Sequence, residues 1–185
     1  MNARLFLLPL LLLTACKEET AALPAPVPIT AEAAGHYCQM GLLEHEGPKG
    51  QAHLEGLPAP LFFAQVRDLL AYLRMPEQSH AVAVAYVQDM TGASWAAPGE
   101  WIRADRAVYV LGAGLRGGMG AAELVPFAAR EDAARFAAAH GGEVRDFAGV
   151  AAADVLAPEA PPPALVGGES DMRSRLEALS RRAVD

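Results

Sequence analysis

The order of apolar and polar side chains predicts alternating strands and a helix in the first half of the chain. Residues 36–43 are predicted to form a strand that leads to a turn at 46–50, and the alternating residues 51–55 are predicted to form the return strand. Residues 62–73 carry apolar side chains at the spacing of an amphipathic helix. The continuous apolar run at 81–87 predicts a buried strand.

The second half has a similar pattern. Short strands are predicted at residues 101–102, 107–111 and 125–128, followed by a helix over 130–139 and a last strand at 143–147. The helix is followed by two glycines, which is typical of a helix end. Strand, strand, helix and strand therefore recur in the same order.

Short stretches before the two helices are also alike. Phe62-Phe63-Ala64-Gln65 precedes the first helix, and Pro126-Phe127-Ala128-Ala129 precedes the second. We interpret the chain as an α+β protein built from two ββαβ-type modules in a degenerate internal repeat. The predicted domain covers residues 31–157, with halves of about 31–92 and 93–157.

The N-terminus has the pattern of an exported and lipid-modified protein. Arg4 precedes a short apolar run, and Leu13-Thr14-Ala15-Cys16 resembles the bacterial lipobox. We expect residues 1–15 to be a signal peptide and Cys16 to carry lipid, although an ordinary signal peptide that ends near a cysteine fits the same residues. Lys17 stands where an aspartate favours the inner membrane in enteric bacteria, which favours the outer membrane here.

Proline-rich segments flank the predicted domain. Residues 16–30 contain alternating prolines and are predicted to be an extended tether. Residues 158–185 form a proline-rich tail, which we interpret as a disordered end or as a docking segment. The net charge is −7 and no dense basic patch occurs, so nucleic acid is not an expected partner.

The cysteine count directs attention to one thiol. The chain has two cysteines, and if Cys16 carries lipid then Cys38 is the only free thiol in an oxidising compartment. Such a cysteine indicates a reactive thiol, an intermolecular disulfide or a metal ligand. A second nearby cysteine for disulfide exchange is absent from the sequence.

The residues around Cys38 favour a soft metal. In a strand, His36, Cys38 and Met40 project to the same side. Thiolate and thioether sulfur suit copper(I), whereas a structural zinc ion prefers four ligands from cysteine, histidine and carboxylate. Met119, with glycines on both sides, is the leading candidate for a further ligand, and Met90 is the next. A methionine that fills a gap in the core is the alternative for Met119.

Two further histidines flank the predicted hairpin turn. His45 lies beside Glu44, and His53 lies close to Glu55. They are ordinary surface histidines or, together, a second and harder site for a metal such as zinc.

Several segments together resemble the NosL family of nitrous oxide reductase accessory lipoproteins. They are the lipobox, Tyr37-Cys38-Gln39-Met40, the hairpin segment at 50–56, the helix at 62–73, residues 87–90, Gly118-Met119-Gly120 and Pro126-Phe127. The resemblance implies a pair of ββαβ modules and a copper(I) chaperone that faces the periplasm. It implies delivery of copper to apo nitrous oxide reductase and contact with an ABC-type membrane complex. It also implies Cys38, Met40 and Met119 as the copper ligands.

The sequence leaves one alternative to a copper carrier and disfavours an enzyme. A metal-free interaction or assembly lipoprotein of the cell envelope, with Cys38 as a small buried hydrophobic residue, is the alternative to a copper carrier. An enzyme is not expected, because no serine–histidine–aspartate order, phosphate loop or paired carboxylates stand out in the sequence.

Overall fold

The computed structural model describes residues 22–157 and the pair Arg173 and Ser174, which are helical. The predicted signal peptide, Cys16 and the rest of the proline-rich tail lie outside the described residues. In the part of the chain that is described, no helix is both long enough and apolar enough to cross a membrane.

Four strands form one antiparallel sheet, and the last of them comes from the predicted second half, residues 93–157. Its strands are β1 (Gly50–Leu54), β2 (Leu61–Phe63), β3 (Val82–Gln88) and β4 (Trp101–Arg103), in the order β2-β1-β3-β4. Helix α1 (Val66–Arg74) lies between β2 and β3 in the chain. All five residues of β1 are buried, and β1 has partner strands on both edges.

The second half forms a three-stranded antiparallel sheet. Its strands are β5 (Val108–Leu111), β6 (Val125–Phe127) and β7 (Glu143–Asp146), in the order β6-β5-β7. Helix α2 (Arg130–His140) connects β6 to β7, and a short helix, α3 (Ala152–Leu156), follows.

The predicted α+β class is therefore confirmed. In each sheet the strand that comes first in the chain, β1 or β5, lies inside the sheet, and the next two strands pair with it in antiparallel fashion on its two edges. The order strand, strand, helix, strand occurs in both halves, and the internal duplication behind it stays a prediction, as do the domain boundaries.

The predicted strand over residues 36–43 is wrong. Residues 36–38 form a turn, and a short 3-10 helix follows at Leu42–Glu44. In this segment the backbone makes only isolated β-bridges, from Ala34 to Gly41 and from Gly35 to Phe62. Alternate side chains lie on one face only in an extended strand. The turn therefore does not place alternate side chains of this segment on one face.

The first helix starts later than the apolar spacing predicts. Residues 61–63 form β2, where Phe62 is opposite Gln51 and Phe63 is opposite Gly50. The backbone groups of these residues are used by the sheet, so α1 begins only at Val66. Its buried face, which includes Leu69 and Leu70, packs into the larger hydrophobic cluster of the molecule. Each such leucine contributes about 1.5–3 kcal/mol to stability on burial.

Part of the predicted tether contacts the first sheet. The Gln51 side chain, on β1, forms two hydrogen bonds with the backbone of Val27. The hydroxyl of Tyr86, on β3, donates to the carbonyl of Pro24 at 2.6 Å. The segment from Pro24 to Val27 is therefore fixed to the sheet by side chains rather than by strand pairing.

Candidate metal centre

Cys38 lies in a tight turn of residues 35–40, which we call the Cys38 loop. The N–H of Gly35 donates to the carbonyl of Met40 at 3.0 Å and closes the loop. Gln39 has a φ of 56°, and its side-chain amide donates to two carbonyls of the same loop. A Cβ at position 35 would lie 2.5 Å from Sγ of Cys38, so a larger residue there would displace the cysteine side chain.

The sulfur-bearing residues of this loop are accessible. Cys38 is partly exposed, and Met40 is 42 % exposed. The side chains of Tyr37 and Leu43 are also exposed beside them. The Cys38 thiol is therefore not the small buried hydrophobic group that the alternative interpretation requires.

His36 packs against aromatic rings. Its ring lies edge-on to Phe63 and Tyr72, with centroid distances of 5.8 and 5.7 Å, and it also touches Tyr37. The backbone N–H of His36 donates to the carbonyl of Phe62 at 2.6 Å. These contacts anchor the start of the Cys38 loop on β2 and α1, and they give the His36 ring a packing role.

Met119 lies in a second loop, residues 117–120, which we call the Met119 loop. Its side chain is 42 % exposed. Its backbone N–H donates to Oε1 of Gln65, the residue that precedes α1, at 3.1 Å. Gly120 has a φ of 80° in open space, so the glycine there serves the backbone turn. The exposed thioether is not a core filler.

The two loops meet at Ala64. A Cβ on Gly35 would lie 3.7 Å from Cβ of Ala64 and 2.5 Å from Sγ of Cys38. A Cβ on Gly118 would lie 2.9 Å from the carbonyl oxygen of Ala64. The tertiary structure therefore brings the Cys38 loop and the Met119 loop to the same residue, although about eighty positions separate them in the chain.

Met90 has different surroundings. It is 6 % exposed and belongs to the hydrophobic cluster of the second half, with Val110 and Phe127. Its backbone N–H donates to the carbonyl of Pro126 at 2.9 Å. Met90 is a core residue.

His45 and His53 do not form a common site. His45 lies against the Met119 loop, since a Cβ on Gly118 would be 2.7 Å from Cβ of His45, and its Nε2 is buried without a hydrogen-bond partner among the described residues. Nε2 of His53 is instead 3.0 Å from Oε1 of Gln51, under the N-terminal segment. Nowhere in residues 22–157 do three histidine, cysteine or acidic side chains come together as a metal cluster.

A buried carboxylate lies below the Met119 loop. Glu123 is 2 % exposed and accepts hydrogen bonds from the N–H groups of Val66, Arg67 and Leu124 at 2.9–3.1 Å. It therefore caps the N-terminus of α1 from the other half of the chain. Burial raises the pKa of Glu123 to about 8, against the effect of these three N–H groups.

A buried lysine contributes to the same region. Lys49 is 4 % exposed, and its ammonium group donates to the carbonyls of Glu46 and Gly47. Burial lowers the pKa of Lys49 to about 8, while the charges of Glu123 and Glu46 act in the opposite direction. These contacts fix the segment that connects His45 to β1.

Comparison with known proteins decides the family. Residues 26–155, well over half of the chain, match the NosL family. The chain belongs to the NosL family. The resemblance stated from the sequence is confirmed.

Two curated NosL proteins are similar over most of their length. The copper-binding lipoprotein NosL of Achromobacter cycloclastes is 51 % identical over 178 residues, which cover 94 % of this chain and 92 % of the relative. The copper-binding lipoprotein NosL of Stutzerimonas stutzeri is 37 % identical over 140 residues, covering 73 % and 72 %. Both relatives are named as copper-binding lipoproteins rather than as enzymes.

A solved NosL structure has the same fold. The crystal structure of the copper chaperone NosL from Shewanella denitrificans matches with a TM-score of 0.64 and 31 % identity, over 70 % of this chain and 96 % of that one. The α+β architecture with two small sheets is therefore that of a NosL protein.

Sequence reasoning missed two residues of this NosL site. Gln65 contacts the Met119 loop, and Glu123 contacts the first turn of α1. Neither residue is among the site candidates predicted from the sequence. A signal existed for Glu123, which is the only charged residue in the apolar stretch from 121 to 127. Gln65 had no such signal, because a polar residue before a helix is ordinary.

Proposed function

We propose that this NosL protein carries one copper(I) ion as cargo, facing the periplasm, and passes it to apo nitrous oxide reductase for the assembly of its copper centres. Cys38, Met40 and Met119 are the proposed ligands. The ion is transferred without chemical turnover, so no residue is assigned a catalytic role.

The observation that supports this proposal is the contact of both loops with Ala64. The Cys38 loop and the Met119 loop are the two segments with exposed methionine sulfur near α1, and the only free cysteine of the described chain lies in one of them. A thiolate and two thioethers form a soft donor set, which selects copper(I) over zinc, magnesium or calcium.

Partial exposure of the sulfur atoms suits transfer. Met40 and Met119 are each 42 % exposed, so a ligand from a docked partner has access to the ion before an existing bond breaks. The exposed side chains of Tyr37 and Leu43 lie in or beside the Cys38 loop and offer an apolar contact surface for that partner. Copper bound in this way also protects the thiol from oxidation.

Other parts of the proposal rest on the family resemblance and on the N-terminal pattern. They are lipid attachment at Cys16, a position on the outer membrane facing the periplasm, and contact with an ABC-type maturation complex. Among the nitrogen donors, His45 is the remaining candidate, because its Cβ and Cγ lie against Gly118 and its buried Nε2 has no partner among the described residues.

The test begins with protein that is purified without oxygen and loaded with copper(I). We expect one copper per chain, and we expect Cys38→Ala to abolish tight binding in a competition with a copper(I) chelator. Met90→Leu is the control, since this core methionine can be replaced at nearly constant volume and copper binding should not change. X-ray absorption then counts sulfur and nitrogen neighbours of the ion.

Delivery is tested separately. Copper-loaded protein is mixed with apo nitrous oxide reductase, and copper in the reductase is measured after the two are separated. Transfer from the wild type but not from Cys38→Ala supports the proposal. Absence of copper in the loaded wild-type protein would favour a metal-free assembly lipoprotein instead, whereas unchanged binding by Cys38→Ala would remove Cys38 from the proposed ligand set.

A further inference from the structure

We propose that Gln65 is a positioning residue, which holds Met119 beside the Cys38 loop and thereby sets the number of sulfur ligands on the bound ion. This inference rests on the proposed function. Gln65 itself does not contact copper, and it acts through the backbone of Met119.

Both ends of the Gln65 amide are engaged. Oε1 accepts the Met119 N–H at 3.1 Å, and Nε2 donates to Oδ1 of Asp68 at 2.8 Å. The side chain is 2 % exposed. A buried amide with a partner on each side keeps one orientation, so the acceptor for Met119 is fixed in space.

The Gln65 side chain is available because another residue performs the task that its position suggests. A polar residue directly before a helix usually caps the first N–H groups, but Gln65 makes no such bond. Glu123 accepts the N–H groups of Val66 and Arg67 in its place. The helix cap therefore comes from the second half of the chain, and Gln65 serves the Met119 loop.

Two glycines allow the loop to approach this closely. A Cβ on Gly117 would lie 2.6 Å from Cβ and Oε1 of Gln65, and a Cβ on Gly118 would lie 2.9 Å from the carbonyl oxygen of Ala64. Neither glycine has a positive φ, so their role is to remove side chains at the contact rather than to permit a special turn. The loop therefore lies directly on Ala64 and Gln65.

Ala64 and Gln65 together connect the two candidate ligand loops. Ala64 touches the Cys38 loop through Gly35, and Gln65 binds the backbone of Met119 itself. Loss of the Gln65 oxygen leaves the Met119 N–H without its acceptor in a glycine-rich loop. The thioether then spends less time within bonding distance of the ion, so the expected change is a lost ligand rather than a lost fold.

The main variant is Gln65→Leu, and Gln78→Leu is the matched control. Gln78 donates to the carbonyl of Tyr72 in the last turn of α1, so the control removes a glutamine bond to the same helix that does not involve Met119. In Gln65→Leu we expect about tenfold weaker copper(I) binding, which is the effect of one hydrogen bond, and one sulfur neighbour fewer by X-ray absorption. Gln78→Leu should retain both values.

A double-mutant cycle separates positioning from a general effect on the fold. If Gln65 acts only through Met119, Gln65→Leu should weaken binding no further in a Met119→Ala background. Additive losses, or an unchanged sulfur count in Gln65→Leu, would overturn the inference.

A measurement without metal tests the contact itself. In the apo wild-type protein the Met119 amide should exchange with solvent at least tenfold more slowly than in an unfolded chain. Exchange at the unfolded rate overturns the inference even if Gln65→Leu does not fold. Failure of the proposed function is distinct, because it shows as wild-type protein that binds no copper or that binds it without Cys38.

Discussion

The Gln51 side chain holds the backbone of Val27 by two hydrogen bonds. Its Oε1 accepts the Val27 N–H and its Nε2 donates to the Val27 carbonyl, each at 3.0 Å. Gln51 is fully buried on the central strand β1. The N-terminal segment is therefore attached to the sheet at Val27 and, through Tyr86, at Pro24, both of which lie within the predicted tether of residues 16–30.

Gln51→Leu should release this segment. We expect hydrogen exchange at the Val27 amide to rise at least tenfold and the free energy of unfolding to fall by about 1–3 kcal/mol, because two bonds are lost and backbone groups lose their partner. Amide exchange and chemical unfolding measure the two effects. Tyr109→Phe is the control, since it removes a buried bond to the Ala104 carbonyl and should lower stability without changing Val27. Unchanged exchange at Val27 in Gln51→Leu would contradict the prediction.

His53 should make this attachment sensitive to acid. Its Nε2 donates to Oε1 of Gln51 at 3.0 Å, since that oxygen also accepts from Val27, and burial lowers the pKa of His53 below its usual 6.5. The unfolded chain therefore takes up a proton more readily, and the contribution of His53 is complete above pH 6.5 and is lost as pH falls through the folded-state pKa.

The comparison is between wild type and His53→Gln. We expect the stability difference between them to shrink or reverse as the pH is lowered from about 7.5 to 5, measured by denaturant unfolding at each pH. Other acid-sensitive groups are present in both proteins and cancel in the difference. Parallel stability curves over this range would show that His53 titrates alike in both states.

Glu123 should have the opposite pH dependence. Burial raises its pKa to about 8, so its contribution to stability is complete below pH 4.5 and is lost as pH rises towards 8. Relative to Glu123→Gln, the wild type should lose on the order of 2–5 kcal/mol between pH 5 and 8. The measurement stops at pH 8 because of Lys49, whose pKa is lowered to about 8. Above that pH, folded Lys49 loses its proton more readily than Lys49 in the unfolded chain, which adds stability. A difference that is constant with pH would contradict this result.

The proposed ligands should not be equivalent. As proposed ligands, Cys38 would supply the one charged sulfur, whereas Met119 would supply a neutral thioether from the Met119 loop. We expect Met119→Ala to weaken copper(I) binding less than Cys38→Ala does, measured by chelator competition on protein kept without oxygen. An equal or greater loss in Met119→Ala would reverse this order of importance.

Much of the fold could be predicted from local pattern. The apolar runs at β3 and β5, the amphipathic spacing in α1 and the glycines after α2 indicated the right element types, because each is fixed by short-range periodicity and backbone preference. The soft sulfur donors around Cys38 and the segments typical of the NosL family were equally visible without a structure.

Only the tertiary structure determined how these parts meet. A strand is predicted over residues 36–43, yet residues 36–38 form a turn, because the Gln39 side-chain amide and the edge of β2 take up backbone groups there. The cap that α1 receives from Glu123 and the acceptor that Gln65 offers to Met119 join positions more than fifty residues apart. Such contacts have no periodic trace in the sequence, since they depend on how two sheets and a helix pack rather than on neighbours along the chain.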